Sequence, residues 1–420
     1  MTIHATINTY QQKHALYPPL IPPPPPADLG LVVVIPCCNE PDVFATLHAL
    51  WSCSRPACST EIILVINHAA TSPDLVRSHN LATKQAADAW VTAHHDPKLC
   101  IHPLFFPDLP DRHAGVGLAR KIGMDEAAHR LASVGNNHGV IACIDADCDC
   151  SPNYLTTLHD HFRDDKKTPG CVIHFEHRYG NLTDPSLRDA IVQYELYLRY
   201  HVRGLDCAGS PYAFHTVGSC MAVRASVYMR QGGIKPRKGG EDFYFIQKMI
   251  GLGNLTKIRT ATVYPASRLS TRTPFGTGQA MLKAIHNPVP LMTNHPQLFL
   301  DIQHFYRLIP PLYDNPDETI IRTNLPPYMI IFLDTVGFSK TITEIRANVS
   351  SVFSFQKRFH LWFNAFKIRK FLHRATESGL PGIPIQQAAV MLLHIMQAPH
   401  WDSTPSQEHL LKHYRDLDLE

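Results

Sequence analysis

The feature that most constrains the fold is an alternation of apolar runs with amphipathic segments between residues 31 and 145. The apolar runs, at 31–36, 61–67, 99–106 and 140–145, are rich in aliphatic and β-branched residues, which is typical of strands buried on both faces. Between them, apolar residues recur at helical spacing, as at Val43, Leu47 and Leu50. Strands that alternate with helices predict an α/β fold with a mostly parallel sheet and ligands at the carboxyl ends of the strands.

The rest of the chain predicts three successive parts. Residues 1–28 form an N-terminal extension with a proline-rich linker, because the tract at 17–30 favours an extended polyproline spacer. Residues 29–275 form the α/β domain, with helices predicted at 184–204 and 239–253. Residues 276–420 form a mostly helical C-terminal region that prolines interrupt.

Composition narrows the classes of function. Lys and Arg number 39 against 36 Asp and Glu, and so small an excess argues against a nucleic-acid-binding protein. The start of the chain has no apolar stretch typical of a signal peptide, and no run approaches the length of a membrane span. The 11 cysteines are odd in number and follow no repeated spacing. We therefore expect a reduced, cytoplasmic protein.

Three carboxylates follow the fourth apolar run, in the stretch "IACIDADCDC". Asp145, Asp147 and Asp149 repel one another unless a cation or a hydrogen-bond donor compensates their charge. Carboxylates at a strand end suit a hard divalent cation such as Mg²⁺ or Mn²⁺, which would bridge to the phosphates of a substrate. The pattern indicates transfer of a group from a nucleoside diphosphate, and a solvated turn is the alternative.

Several segments, taken in order, carry a family resemblance. They are "VVVIPCCNE", "EIILVIN", "GVGLARKIGMDEA", "IDADCD", "GSCMAVRASVYMRQGGI" and "GGEDFYF". Between residues 31 and 275 the chain resembles the family 2 glycosyltransferases, which have the GT-A fold of the nucleotide-diphospho-sugar transferases. The resemblance implies a hexosyltransferase-type enzyme, inverting and dependent on Mn²⁺ or Mg²⁺. Its donor would be a nucleotide-diphosphate sugar, and its acceptor a hydroxyl of a glycan, a lipid-linked molecule or a small molecule.

The resemblance also implies which residues bind the donor. The nucleotide would be held by Pro36, Asn39, Glu40 and Asn67, of which Asn67 stands where the family more often has Asp. Arg120 matches the family's arginine that approaches the diphosphate. Lys121 stands where Asn is usual and would add a second cation near the phosphates.

The metal ligands and the base follow from the same resemblance. Asp145 and Asp147 match the Asp-x-Asp motif, with Asp147 as the more direct metal ligand. Asp242 of "GGED" matches the catalytic base of inverting members. A carboxylate there has physical sense, because inverting transfer needs one base for the acceptor hydroxyl, and a helix N-terminus lowers the pKa of a carboxyl. Alternatively, Glu241 and Asp242 only complement the helix dipole.

Two other segments have two interpretations each. Arg268 and Arg272, four residues apart, would stabilise the leaving diphosphate or else form surface salt bridges. In residues 355–375, aromatic side chains fall on one helical face beside six Lys or Arg residues. Packing against the domain is favoured there. Peripheral contact with an anionic membrane, at its inner face, is the other interpretation.

Two rival functions stay open. One is a catalytically inactive protein with the GT-A fold that binds a nucleotide sugar or acts as a scaffold. The other is a nucleotidyltransferase, which would usually have a Gly- and Arg-rich first loop, unlike "PCCNEPD". Turnover of a nucleotide-sugar donor in the presence of metal separates the first rival from the enzyme.

Overall fold

The computed structural model describes residues 3–272, 276–287, 289–397 and 405–420. Its chain divides into two compact units, apart from the last two residues. The first unit comprises Met1–Thr183 and Thr216–Leu282, and the second comprises Asp184–His215 and Lys283–Asp418. The sequence predicts a domain boundary at residue 275. Residues 273–275 are outside the described residues. The helix predicted at 184–204 is part of the second unit.

The strands of the described residues form two sheets. They are β1 (Leu29–Cys37), β2 (Ser59–Ala69), β3 (Leu99–Leu109), β4 (Val140–Cys143), β5 (Cys148–Cys150), β6 (Gly170–Phe175), β7 (Met221–Arg224), β8 (Thr256–Pro265), β9 (Met292–Thr293) and β10 (Ile383–Pro384). The first unit contains an eight-stranded sheet of order β3-β2-β1-β4-β7-β6-β8-β5. Strands β1 to β4 are parallel, whereas β7 is antiparallel to β4 and β6, and β5 is antiparallel to β8. The mostly parallel sheet that the sequence predicts is confirmed.

The helices account for most of the remaining chain. They are α1 (Ile3–Lys13), α2 (Val43–Trp51), α3 (Asp74–Ala93), α4 (Val116–Ser133), α5 (Tyr154–Asp164), α6 (Pro185–Cys207), α7 (Ala225–Arg230), α8 (Glu241–Leu252), α9 (Thr277–His286), α10 (Gln297–Leu308), α11 (Thr319–Asn324), α12 (Pro327–Thr335), α13 (Phe338–Ala347), α14 (Val352–Trp362), α15 (Ala365–Ser378), α16 (Ile385–Ile395) and α17 (Gln407–Leu419), with a 3₁₀ turn at Pro310–Tyr313. The helical C-terminal region is confirmed. The helices flank a mostly parallel sheet, which is the GT-A-type α/β architecture that the sequence predicts.

Close packing of α4 on the sheet positions its first turn beside the strand ends. Gly123 faces β1, where an added Cβ would lie 2.4 Å from a methyl of Val34. A larger residue would push the helix outward, because a packed core has no space for extra methyl groups. The first turn of α4 therefore lies close over the carboxyl ends of the parallel strands, where it carries Arg120.

The proline tract is attached to the first unit and is not a free spacer. The backbone N–H groups of Leu20 and Ile21 donate to the carboxylate of Glu126, at 2.8 and 3.2 Å. The Arg130 guanidinium donates to the carbonyl of Pro23 at 3.0 Å. Residues 15–28 contain no helix or strand, and α4 supplies partners for part of their backbone because prolines leave few donors to form a ladder.

The second unit is helical, and its aromatic residues form its core. Phe355, Phe359 and Phe363, three of the aromatic residues within 355–375, are fully buried. These three rings therefore pack inside the second unit. A single aromatic helical face over 355–375 is wrong, because Phe366 lies on a separate helix, α15, and is 40% exposed. Among the helices of the described residues, none combines the length and the apolar character that crossing a bilayer requires.

Candidate active site

Asp145 and Asp147 lie just past the carboxyl end of β4. The ladder between β1 and β4 extends to Ile144, whose N–H donates to the carbonyl of Val34 at 3.2 Å. The chain then turns, with the N–H of Cys148 donating to the carbonyl of Asp145 at 3.1 Å, and enters β5. The turn leaves both carboxylates partly exposed at the edge where the parallel strands end.

Arg120 is the buried cation of the site. Its side chain is 2% exposed, and its Nη2 donates to Oδ1 of Asp145 at 2.6 Å. Its Nη1 donates to the carboxylate of Glu241, which is also 2% exposed. Burial opposes the guanidinium charge, but the neighbouring carboxylates, Asp145 first among them, raise the pKa of Arg120 above its ordinary value. Arg120 is therefore charged and fixed between two acids.

Two glycines allow this arrangement. A Cβ at Gly218 would lie 2.8 Å from the Arg120 guanidinium nitrogens, and a Cβ at Gly117 would lie 2.2 Å from the carbonyl oxygen of Arg237. The loop before α8 can thus approach the first turn of α4 and deliver Glu241 to Arg120. Close packing on Arg120 accounts for the glycine at 218.

Asp242 is the second residue of α8, directly after Glu241. The residue before the helix, Gly240, has a left-handed backbone at φ 73°. Oδ1 of Asp242 accepts the backbone N–H of Phe243 at 2.7 Å, and the N–H of Gly218 also donates to this carboxylate. The sequence predicts a lowered pKa at a helix N-terminus, and this direction is wrong. Burial raises the pKa of Asp242, and it outweighs the opposing effects of Arg120 and the two N–H groups.

Glu40, Arg268 and Arg272 form a second charged group with Asp147. Glu40 is buried and accepts from Arg268 at 2.6 Å and from Arg272 at 2.5 Å. Oδ2 of Asp147 accepts from the same guanidiniums at 3.0 and 3.4 Å. Both arginines therefore form salt bridges, as in the second interpretation of their spacing, and these pairs bridge the loop after β1 to the turn after β4. Contact with a leaving diphosphate stays a prediction.

The polar edge between β1 and β2 is held by Asn80 of α3. Asn39 has a left-handed backbone at φ 48°, and its N–H donates to Oδ1 of Asn80 at 2.8 Å. Nδ2 of Asn80 donates to the carbonyl of Asn67 at 2.9 Å and lies 3.2 Å from Nδ1 of His68. Pro36 lies beside Val65 in the parallel ladder. The positions expected to hold the nucleotide thus share one edge of the sheet.

Lys121 is not at this edge. Its ammonium is buried beneath α1, where it contacts a carboxylate oxygen of Asp125 at 2.9 Å and the hydroxyl of Tyr10 at 3.1 Å. The hydroxyls of Tyr10 and Tyr228 both donate to Asp125 at 2.6 Å. The expectation of a second cation near the phosphates is therefore wrong, because Lys121 follows Arg120 on α4 and points to another face of the helix.

The side chains at the Asp-x-Asp turn suit a hard divalent cation only in part. Within the described ranges, no three His, Cys, Asp or Glu side chains converge on a common point that could hold a metal ion. Asp145 and Asp147 each have one oxygen on a guanidinium. The remaining carboxylate oxygens are hard ligands, and Mg²⁺ typically uses one or two carboxylates together with substrate phosphates. The donor set thus fits a cation that a diphosphate helps to bind.

An open cleft of about 540 Å³ adjoins this group. It is lined by one face of α2, by the Asp147–Asp149 segment and by residues 264–268. Arg178 borders it, pairs with Asp149 and lies 3.9 Å from the centre of the Tyr264 ring. The cleft therefore has both anionic and cationic walls beside the candidate donor edge.

Sequence reasoning missed two residues of the site. It treated Glu241 only as a complement to the helix dipole, and it did not single out Asn80. A signal existed for Asn80, because it falls on the same face of α3 as the buried Thr83 and Ala87, where a polar side chain needs partners. No signal in the sequence links Glu241 to Arg120, which lies 121 positions earlier.

Fold and site together define an α/β protein of the GT-A type with an acidic, arginine-bridged cleft at the carboxyl edge of its sheet. Neither a protein-family model nor a curated protein sequence matches the chain. Solved structures give likenesses of fold. The chain is 14% identical to S. aureus TarS 1–349, with a TM-score of 0.36, covering 57% of this chain and 60% of that one.

Two further structures were solved with ligands. TarS 1–349 in complex with UDP-GlcNAc is 13% identical, with a TM-score of 0.40, over 84% of this chain and 92% of that one. The mannosyltransferase PcManGT from Pyrobaculum calidifontis, in complex with GDP-Man and Mn²⁺, is 12% identical, with a TM-score of 0.37. The match covers 99% of this chain and 93% of that one. At these TM-scores the likenesses do not assign a ligand or an activity to this chain.

Proposed function

We propose that this protein is a glycosyltransferase that moves a sugar from a nucleoside-diphosphate sugar to an acceptor hydroxyl, with inversion at the anomeric carbon. One observation carries the proposal. The buried guanidinium of Arg120 contacts both Asp145 of the Asp-x-Asp turn and Glu241 beside Asp242. A single cation thus ties the carboxylates on the donor side to the segment that presents a candidate base.

Asp242 would act as the base. As the acceptor oxygen bonds to the anomeric carbon, the bond from that carbon to the diphosphate oxygen breaks, and the nucleoside diphosphate leaves with the electron pair. The proton of the acceptor hydroxyl passes to the carboxylate of Asp242. A pKa raised by burial strengthens this base, and the N–H groups of Phe243 and Gly218 orient it.

The donor would lie along the edge formed by Pro36, Asn39, Glu40 and Asn67. Arg268 and Arg272 would turn from Glu40 and Asp147 toward the leaving diphosphate, since a guanidinium can bind a phosphate with two parallel hydrogen bonds. Asp147 and Asp145 would hold Mn²⁺ or Mg²⁺ together with the diphosphate. A bound cation would neutralise charge on the leaving group.

The compartment is part of the same proposal. All 11 cysteines are free thiols. Free thiols are typical of a reducing compartment, which supports a cytoplasmic enzyme. The acceptor would be a glycan, a lipid-linked molecule or a small molecule.

One observation favours the rival function, a donor-binding protein without turnover. The guanidiniums of Arg268 and Arg272 occupy Oδ2 of Asp147, which a metal or donor complex would use. If they hold this position with donor bound, the cation and the diphosphate have less access to the carboxylate. Release of nucleoside diphosphate decides between the two functions.

The test measures donor binding and turnover on the same samples. UDP-, GDP-, ADP- and TDP-linked hexoses are each added with Mn²⁺, Mg²⁺ or EDTA, and thermal stabilisation and nucleoside diphosphate release are followed. A ligand that binds the folded state raises its apparent stability. We expect one donor class to stabilise the protein, Asp147→Asn to weaken this effect, and Asp164→Asn, an exposed control on α5, to leave it unchanged.

The base is tested by Asp242→Asn. We expect this variant to bind the donor as wild type does and to lose transfer by about 10²- to 10⁴-fold, the usual contribution of a general base. Binding without release in wild type, with a range of glycan, lipid and small-molecule acceptors, would assign the rival function. A folded protein that binds none of these donors would overturn both.

A further inference from the structure

Helices α14 and α15 have one face in the core of the second unit and another toward solvent. Phe355 and Phe359 on α14, and Phe371 on α15, are fully buried. The aromatic side of these helices is thus already packed within the protein. Any external ligand must bind the opposite side, which we call the α14–α15 outer face and define by Phe353, Lys357, Arg358, Leu361, Phe366, Lys370 and Arg374.

Large apolar side chains protrude from this outer face. Phe353 is 74% exposed, Leu361 is 47% exposed and Phe366 is 40% exposed. Phe353, Lys357 and Leu361 are spaced four residues apart, so they follow one another along a single stripe of α14. Single exposed apolar residues are common, but three large ones occur here within 14 positions, two of them on the same stripe of α14.

Apart from Glu377, which pairs with His373 near the end of α15, the charges on this side of the two helices are positive. Lys357, Arg358, Lys370 and Arg374 are exposed, and no Asp or Glu occurs between Glu344 and Glu377. Across the described residues, no carboxylate pairs with Lys357, Arg358 or Lys370. The face therefore carries positive charge that the protein does not neutralise.

Cations and aromatic rings are also in direct contact at the corner between the helices. The Lys370 ammonium lies 4.7 Å from the centre of the Phe366 ring, and the Lys367 ammonium lies 5.0 Å from that of Trp362. Long basic side chains beside aromatic rings suit the boundary between water and a bilayer, where the rings enter the headgroup region and the ammonium groups meet phosphates. An acidic protein surface would neutralise the charge but leave the protruding Phe353 without an apolar environment.

We propose that the α14–α15 outer face binds the surface of an anionic phospholipid bilayer. Such a bilayer complements the face in two ways, because its anionic headgroups attract the basic side chains and its apolar interior accepts the protruding apolar side chains. This inference goes beyond the proposed glycosyltransferase function and does not depend on it. If both are right, the catalytic protein works beside a membrane.

The test uses the full chain and two kinds of vesicle. Co-sedimentation is measured with phosphatidylcholine alone and with phosphatidylcholine containing phosphatidylglycerol, at low and high salt. We expect binding to the anionic vesicles only, weakened by salt, because each basic residue near such a surface strengthens binding roughly fivefold. Equal binding to both vesicles, or none to either, overturns the proposal.

Matched variants place the contact on this face. Lys357→Gln with Lys370→Gln should weaken binding by roughly 25-fold, the product of two such steps. Phe353→Ser with Leu361→Ser should also weaken it. The controls are Lys166→Gln with Lys167→Gln and Leu75→Ser, which are exposed residues of the first unit and should bind as wild type does.

All the substituted positions are exposed, so the variants should keep the wild-type melting temperature, which is checked on the same samples. Wild-type binding by both outer-face variants would overturn the proposal. Binding to heparin but not to vesicles would assign the face to an acidic macromolecule and would also overturn it.

Discussion

The guanidinium of Arg120 pairs with the carboxylate of Glu241 in the interior of the first unit, although 121 positions separate them in the chain. The same guanidinium reaches Asp145 at 2.6 Å. Because Glu241 begins the helix that carries Asp242, this contact joins the turn after β4 to the candidate base. Arg120 is therefore a positioning residue.

Removing the charge of Glu241 should destabilise the protein. In Glu241→Gln, Arg120 loses its one buried anionic partner, and breaking a buried ion pair typically costs about 3–5 kcal/mol. We expect the free energy of unfolding of the first unit to fall by roughly that amount in chemical denaturation. The control Asp164→Asn breaks an exposed pair with Arg163 and should leave the free energy of unfolding nearly unchanged. Equal effects of the two variants would contradict a structural role for the buried pair.

A methyl group at position 218 should disturb the same contact. In Gly218→Ala, the Cβ would lie 2.8 Å from the Arg120 guanidinium, which Asp145 and Glu241 hold in place. We expect a loss of about 1–3 kcal/mol in stability, as for other overpacked sites, and a lower kcat. The control is Gly180→Ala, where nothing lies within 4 Å of an added Cβ. A Gly218→Ala protein with wild-type stability and rate would show that Arg120 can shift freely.

Asp242 should make the stability of the protein depend on pH. Burial raises its pKa in the folded state, so the folded protein keeps this proton to a higher pH than the unfolded chain. Stability is then lost as the pH rises from the unfolded value, about 3.9, through the raised folded value. We expect Asp242→Asn to melt higher than wild type at neutral pH and the difference to vanish in acid. A difference that grows as the pH falls would contradict the raised pKa.

The two arginines on Glu40 and Asp147 should bind the phosphates of a donor. We expect Arg268→Gln with Arg272→Gln to weaken binding of a nucleoside diphosphate by about 10²- to 10⁴-fold, because hydrogen bonds to charged groups contribute about 1.5–3 kcal/mol each and two are removed. Affinity for the matching nucleoside, which lacks phosphates, should not change. Titration calorimetry measures both, with Arg163→Gln as the control. Equal loss of affinity for nucleoside and diphosphate would place the arginines on the base or sugar.

The hydroxyl of Tyr10 should anchor α1 to the first unit. Tyr10→Phe removes its hydrogen bond to Asp125 and leaves the buried ion pair of Lys121 without this partner. A lost buried hydrogen bond of this kind costs about 1–3 kcal/mol in the free energy of unfolding. Tyr17→Phe, at a partly exposed position nearby, is the control. If both variants unfold at the same denaturant concentration as wild type, Tyr10 does not hold α1.

The order of the elements, and the edge of the sheet at which the polar residues lie, can be predicted from the amino-acid sequence alone. Periodicity is local, so it predicted β1 to β4 with their helices, and hence placed Asn39, Asn67 and Asp145 at the carboxyl ends of strands. It did not predict β5, which has only three residues and lies within the acidic stretch.

Which charged side chains pair with one another depends on the folded chain and could not be predicted from the sequence. Arg120 and Lys121 are adjacent in the sequence, yet one pairs with Asp145 and Glu241 and the other lies beneath α1 with Asp125. Arg268 reaches Glu40 across 228 positions. Such pairs depend on the strand order and on how closely α4 and the loop before α8 pack. The direction of the pKa of Asp242 likewise depends on burial, which a helix N-terminus in the sequence does not reveal.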